Sequence, residues 1–77
     1  GLGWEDYYSI LDAQEGLCAI CNASGGKNGE KLVIDHNHTT NKVRGLLCYS
    51  CNTMLGQAQD DIPTLIKAIE YLKHPTW

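Results

Sequence analysis

The feature that most constrains this chain is the placement of its four cysteines. Cys18 and Cys21 form one C-x2-C pair and Cys48 and Cys51 a second, with 26 residues between them. Two tight turns can then present paired thiolates to a single tetrahedral Zn²⁺. The competing reading is a pair of disulfides in a secreted mini-protein. Cysteines only three apart rarely bridge each other comfortably, and the chain carries neither a signal-like start nor an apolar run of membrane length. A redox C-x2-C centre fits less well than a zinc ribbon or knuckle, because two such pairs flank a hairpin pattern. At 77 residues the core alone is small enough to need a staple. Four thiolates close the zinc coordination shell, so this metal is expected to hold structure and leave chemistry to other residues.

The pattern around the cysteines predicts a small α+β fold in one domain spanning 1–77. Trp4, Tyr7, Tyr8 and Leu11 recur at helical spacing, predicting a helix over about 4–15 ended by Gly16. That spacing favours core over base-stacking roles for the three aromatic residues. Residues 22–30 are rich in Gly, Ser and Asn and read as a loop. Two apolar runs, 31–35 and 43–48, separated by a polar stretch, predict a β-hairpin with a wide turn. A short helix over 52–59 follows. Asp61 and Pro63 then introduce a closing helix to about Lys73, with Leu65, Ile66, Ile69 and Leu72 on one stripe. The central order is β-β-α, flanked by N- and C-terminal helices.

The chemistry-bearing residues gather between the cysteine pairs. Asp35-His36-Asn37-His38 stands where the first strand runs out, and Asn52 directly follows the last cysteine. A carboxylate and an amide oxygen suit a hard cation such as Mg²⁺ or Mn²⁺, which makes Asp35 and Asn52 a natural pair. His36 beside such an ion would serve as a general base. Side chains alternate along a strand, so Asp35 and His36 share one site only if the strand ends or bends there. Each residue also has a plainer reading. The quartet could be solvated turn surface, Asn52 could cap the next helix, and Arg44, a candidate phosphate clamp, could be a solvated strand residue.

The strings CAIC, LVIDHNH and VRGLLCYSCN, in that order and at close spacing, resemble the recombination endonuclease VII family of HNH nucleases. The resemblance covers about residues 7–73 and is densest from Asp35 to Asn52. It implies a zinc-stapled ββα-metal (HNH) fold, with Cys18, Cys21, Cys48 and Cys51 as structural zinc ligands. It implies that Asp35 and Asn52 hold the catalytic divalent ion and that His36 activates water. His38 would orient the phosphate or assist proton transfer. Products would carry 5′-phosphate and 3′-hydroxyl ends.

Charge qualifies the substrate. The net charge is −3, and four zinc-bound thiolates add a further formal −2. Proteins that live on phosphate contacts usually carry a basic excess. Here the basic residues Lys27, Lys31, Lys42 and Arg44 outnumber Glu30 and Asp35 between Lys27 and Cys51, so the middle is expected to face phosphate, through Arg44 and Lys42, and the acidic ends are not. The expected activity is nicking or cutting of DNA with low sequence specificity. Only 26 residues follow Cys51, which favours a minimal monomeric nuclease over a dimeric resolvase of Holliday junctions or branched DNA, although dimerisation on DNA stays open. A noncatalytic zinc-dependent DNA- or protein-binding module is the alternative from another class. The expected setting is the cytoplasm of a bacterial or phage-infected cell, with no membrane partner.

Overall fold

A computed structural model describes residues 4–25 and 31–77 of the chain, except for the side chain of Trp4. The expected loop beyond Gly25, with Lys27 and Glu30, and the packing expected of Trp4 lie outside the described residues. Helix α1 spans Trp4–Ala13, strand β1 Leu32–His36, strand β2 Val43–Cys48, helix α2 Tyr49–Gln57 and helix α3 Ile62–Lys73. The strands form one antiparallel two-stranded sheet. This is a small α+β architecture with the expected element order.

Helix α1 stops where the chain enters the left-handed region at Glu15 (φ 56°) and Gly16 (φ 73°). The Gly16 N–H donates back to the Leu11 carbonyl at 2.9 Å, satisfying an orphan carbonyl of the helix end. The helix thus closes two residues earlier than its periodicity suggests. Its inner stripe is Tyr7, Ile10 and Leu11, packed against the buried cluster. Tyr8 was expected in that stripe, but it is 52% exposed and meets the edge of the Tyr7 ring. The i, i+3, i+4 row that faces the hairpin runs through position 7 and passes Tyr8 by.

The core is Cys18, Leu32, Leu46, Leu47 and Cys51, with Leu55 and Ile34 at its margin. Two of five core residues are zinc-ligand candidates, so the centre of the domain and the candidate metal site are one structure. Gly25 is buried, and a Cβ there would run into the Leu32 side chain. Gln14 ties α1 to the outer edge of β2. Its Nε2 donates to the carbonyls of Leu17 (2.7 Å) and Leu46 (3.0 Å), and its Oε1 accepts from Leu46 N–H at 2.9 Å. Ala19 N–H also donates to the Leu46 carbonyl, at 3.1 Å. Together they cover a strand edge that would otherwise expose unpaired backbone groups.

Helix α2 begins three residues earlier than expected, at Tyr49, because the second C-x2-C knuckle is its first turn. Cys48 is the N-cap, and its Sγ accepts from Cys51 N–H. Asn52 therefore sits inside the helix, which removes the reading of Asn52 as a capping residue. Asp61 caps α3 as expected, accepting from Thr64 N–H at 3.1 Å. Helix α3 buries none of its residues, and Ile62, Ile66, Ile69 and Leu72 are all more than half exposed. No described helix is long and apolar enough to cross a membrane.

Candidate functional site

The cysteine sulfurs of residues 18, 21, 48 and 51 all lie within 4.8 Å of one another, and none is in a disulfide. Cys21 and Cys48 Sγ are 3.7 Å apart. A tetrahedral Zn²⁺ with Zn–S bonds of about 2.3 Å calls for sulfur separations of about 3.8 Å. The donor set therefore fits zinc in both number and spacing.

Local backbone geometry prepares these thiols. In the first knuckle Asn22, at φ 62°, turns the chain, Cys18 N–H donates to Ala23 O, and Ile20 N–H points at Cys18 Sγ. Burial works against ionisation of Cys18, yet backbone N–H groups of Cys21, Cys48 and Ile20 bring it down to about 6. Cys51 is pushed up to about 12 by burial and by its neighbours Cys48, Cys21 and Cys18. The Cys18 thiolate forms readily and Cys51 ionises only against its charge, a frustration that a divalent cation at the centre would relieve.

The second cluster lies at the far end of the hairpin. Antiparallel pairing sets Asp35 opposite Gly45, and then slips so that His36 pairs with Val43, leaving Arg44 as the extra residue of a β-bulge. The extra residue lies on β2, while β1 runs on through His36, so the end or bend of β1 that a shared site for Asp35 and His36 calls for is not found in the strand itself. Asp35 is buried at 7% exposure, whereas His36 is exposed. Arg44 grips Asp35 with both branches of its fork, Nε to Oδ2 at 2.7 Å and Nη2 to Oδ1 at 2.9 Å. The hydrogen bonds that Arg44 donates to Asp35 hold the guanidinium above its usual range against the opposing effect of burial, helped by the charge of Asp35 and by the hydrogen bond to Asp60 and its charge.

Arg44 Nη2 also approaches both oxygens of Asp60 at 3.4 Å, and Asp60 Oδ2 holds His38 Nδ1 at 2.8 Å. Asp35, Arg44, Asp60 and His38 thus form one network. His36 and Asn52, the other expected site residues, make no hydrogen bond to it, and exposed Lys42 uses its backbone N–H on Thr40 Oγ1. The turn is tied by Asn37, whose Oδ1 accepts from the N–H groups of Thr39 and Thr40. Beside the network opens a cleft of about 460 Å³, lined among others by His38, Arg44, Leu55, Gln59 and Asp60.

Asp60 is the member that sequence reasoning missed. It belongs to the acidic end of the chain, 22 residues from His38, and the charge argument set that end apart from the basic middle. In the fold, Arg44 is flanked by two carboxylates. The local signal was the Asp60-Asp61 pair ahead of Pro63, of which only Asp61 is explained by capping α3.

The family model described as recombination endonuclease VII matches residues 1–74. The chain is 46% identical over 76 residues to the Gene 59 protein of Mycobacterium phage D29, and 45% identical over 76 residues to the Gene 59 protein of Mycobacterium phage L5. Each alignment takes in 97% of this chain and 46% of the relative, so the chain spans somewhat under half the length of these curated relatives. On the strength of the near-complete family match, the chain belongs to the recombination endonuclease VII family.

Proposed function

We propose that residues 1–77 act as a zinc-stapled ββα-metal (HNH) domain that hydrolyses DNA phosphodiester bonds with a divalent cation. The observation that carries this reading is the bulged hairpin end, where a buried carboxylate, an arginine and a histidine meet beside a cleft. Family membership supports a nuclease, with branched DNA as a substrate class.

Asp35 and Asn52 are the residues that would hold Mg²⁺ or Mn²⁺, as a carboxylate and an amide oxygen suit such an ion. When bound, the cation stabilises negative charge on the scissile phosphate and the leaving oxygen. The donor chemistry fits. An ionised carboxylate has about four lone-pair sites, so Asp35 can keep one contact to Arg44 while offering an oxygen elsewhere. Asn52 is half-buried, one residue beyond Cys51, so the zinc centre fixes its position. His36, exposed at the end of β1, is the general base that takes a proton from water. Arg44 and Lys42 contact phosphate, Arg44 with a planar fork already steadied by two acids. His38 orients the phosphate or passes a proton.

Purified zinc-loaded protein should nick supercoiled plasmid with Mg²⁺ or Mn²⁺ and stop in EDTA while zinc is retained. Asp35→Asn and Asn52→Ala should each raise the cation concentration needed. Cleavage indifferent to EDTA would remove the cation from the reaction. No cleavage under any condition would favour a zinc-dependent DNA- or protein-binding module. A second reading, a dimeric resolvase, is favoured by the exposed apolar stripe of α3, Ile62, Ile66, Ile69 and Leu72. Sedimentation showing only monomer, with and without branched DNA, would count against it.

A further inference from the structure

We infer that Asp60 is a positioning residue for His38, holding its ring by Nδ1 so that Nε2 is the nitrogen left to act on substrate; the inference rests on the nuclease reading above. His38 itself is loosely placed. Its side chain is 75% exposed, whereas that of Asp60 is 19% exposed. The 2.8 Å contact between Nδ1 and Asp60 Oδ2 is therefore an anchor from a well-held carboxylate to an exposed ring. An ionised carboxylate only accepts, so Nδ1 must carry the hydrogen. The neutral ring then has its lone pair on Nε2, where no described group bonds it.

The turn that ends α2 sets where Asp60 stands. Helix α2 ends at Gln57, and the chain then passes through two successive non-glycine residues in the left-handed region, Gln59 at φ 55° and Asp60 at φ 56°. The same left-handed turn ends α1 at Glu15 and Gly16, so the backbone here closes a helix; what differs is that its second residue carries a carboxylate. The turn is pinned by Gln59 N–H to Gly56 O and Asp60 N–H to Leu55 O, at 3.0 and 2.9 Å. Capping of α3 needs only Asp61. The left-handed turn delivers the Asp60 carboxylate to the hairpin, where it meets His38 and Arg44 together. One carboxylate thereby sets the spacing between a proton-handling ring and a phosphate-binding fork.

The test separates positioning from folding and from catalysis. Long-range ¹H–¹⁵N correlation spectra of zinc-loaded protein, at mildly alkaline pH, report which imidazole nitrogen carries hydrogen. Wild-type His38 should be in the Nδ1–H form. Asp60→Gly keeps the left-handed turn but removes the acceptor, and should move His38 toward the Nε2–H form while His74 stays unchanged. Asp60→Asn retains an accepting oxygen without the charge, and should largely restore the Nδ1–H form. Plasmid nicking should fall about tenfold in Asp60→Gly, the scale expected when a histidine loses its orienting partner, and recover in part in Asp60→Asn. An Nε2–H His38 in wild type, or a tautomer unchanged in Asp60→Gly, would overturn the assignment. Wild-type protein that fails to nick overturns the nuclease reading alone, and the tautomer spectra then decide the role of Asp60.

Discussion

Replacing Gln14 with alanine removes three hydrogen bonds from the edge of β2 in one step. Leu46 is fully buried, so its N–H, now paired with Gln14 Oε1, would be stranded at a cost of about 1–3 kcal/mol. Loss of the two Nε2 bonds adds less. Leu46 O keeps its bond from Ala19 N–H, and half-buried Leu17 can recruit water. The total is about 2–4 kcal/mol, which for a domain of this size lowers the melting temperature by about 8–32 °C. Thermal melts followed by circular dichroism at fixed free zinc would measure it, with exposed Gln57→Ala as a control expected to change little. Gln14→Glu sharpens the test. It keeps an acceptor for Leu46 N–H but turns a second oxygen toward two carbonyls. It should be no more stable than the alanine variant at neutral pH, and should recover toward acid, where a protonated carboxyl can donate. A Gln14→Ala protein within 0.5 kcal/mol of wild type on this scale, about the spread of neutral surface changes, would refute the edge-covering role.

Two further outcomes follow from the zinc centre and the core around it. Removing zinc with a chelator should abolish the folded circular dichroism signal, since Cys18 and Cys51 are both core residues and ligand candidates; an unchanged spectrum after verified zinc loss would contradict the staple. Leu46→Ala should cost about 2–5 kcal/mol in denaturant unfolding, because Leu46 is fully buried among the cysteines, and a smaller loss would mean the cavity collapses.

The parts legible in the sequence were those with local signals. Helical spacing in 4–13, the alternation of apolar runs around a polar turn, and the Asp61-Pro63 start of α3 each depend on neighbours a few residues away. The cysteine cluster was legible over a longer range because four identical ligands in two pairs leave one sensible partner for each pair. Gln14 and Asp60 were not. Gln14 finds Leu46 across 32 residues and Asp60 finds His38 across 22. Each is a single polar side chain whose partner is set only once the hairpin and α2 are in place. The start of α2 was misplaced for a related reason, since cysteine is a weak helix former and Cys48 caps the helix through Sγ. Arg44 carried the opposite lesson. Its expected freedom to bind phosphate is tempered by Asp35 and Asp60, which meet it only in the fold.

The most direct test of the account is plasmid nicking by zinc-loaded wild type and His36→Ala at matched zinc content, in Mg²⁺. The account predicts cation-dependent nicking by wild type and its near-complete loss in the variant, with the circular dichroism of the two proteins superimposable. Equal nicking by both would contradict the assignment of His36 as general base.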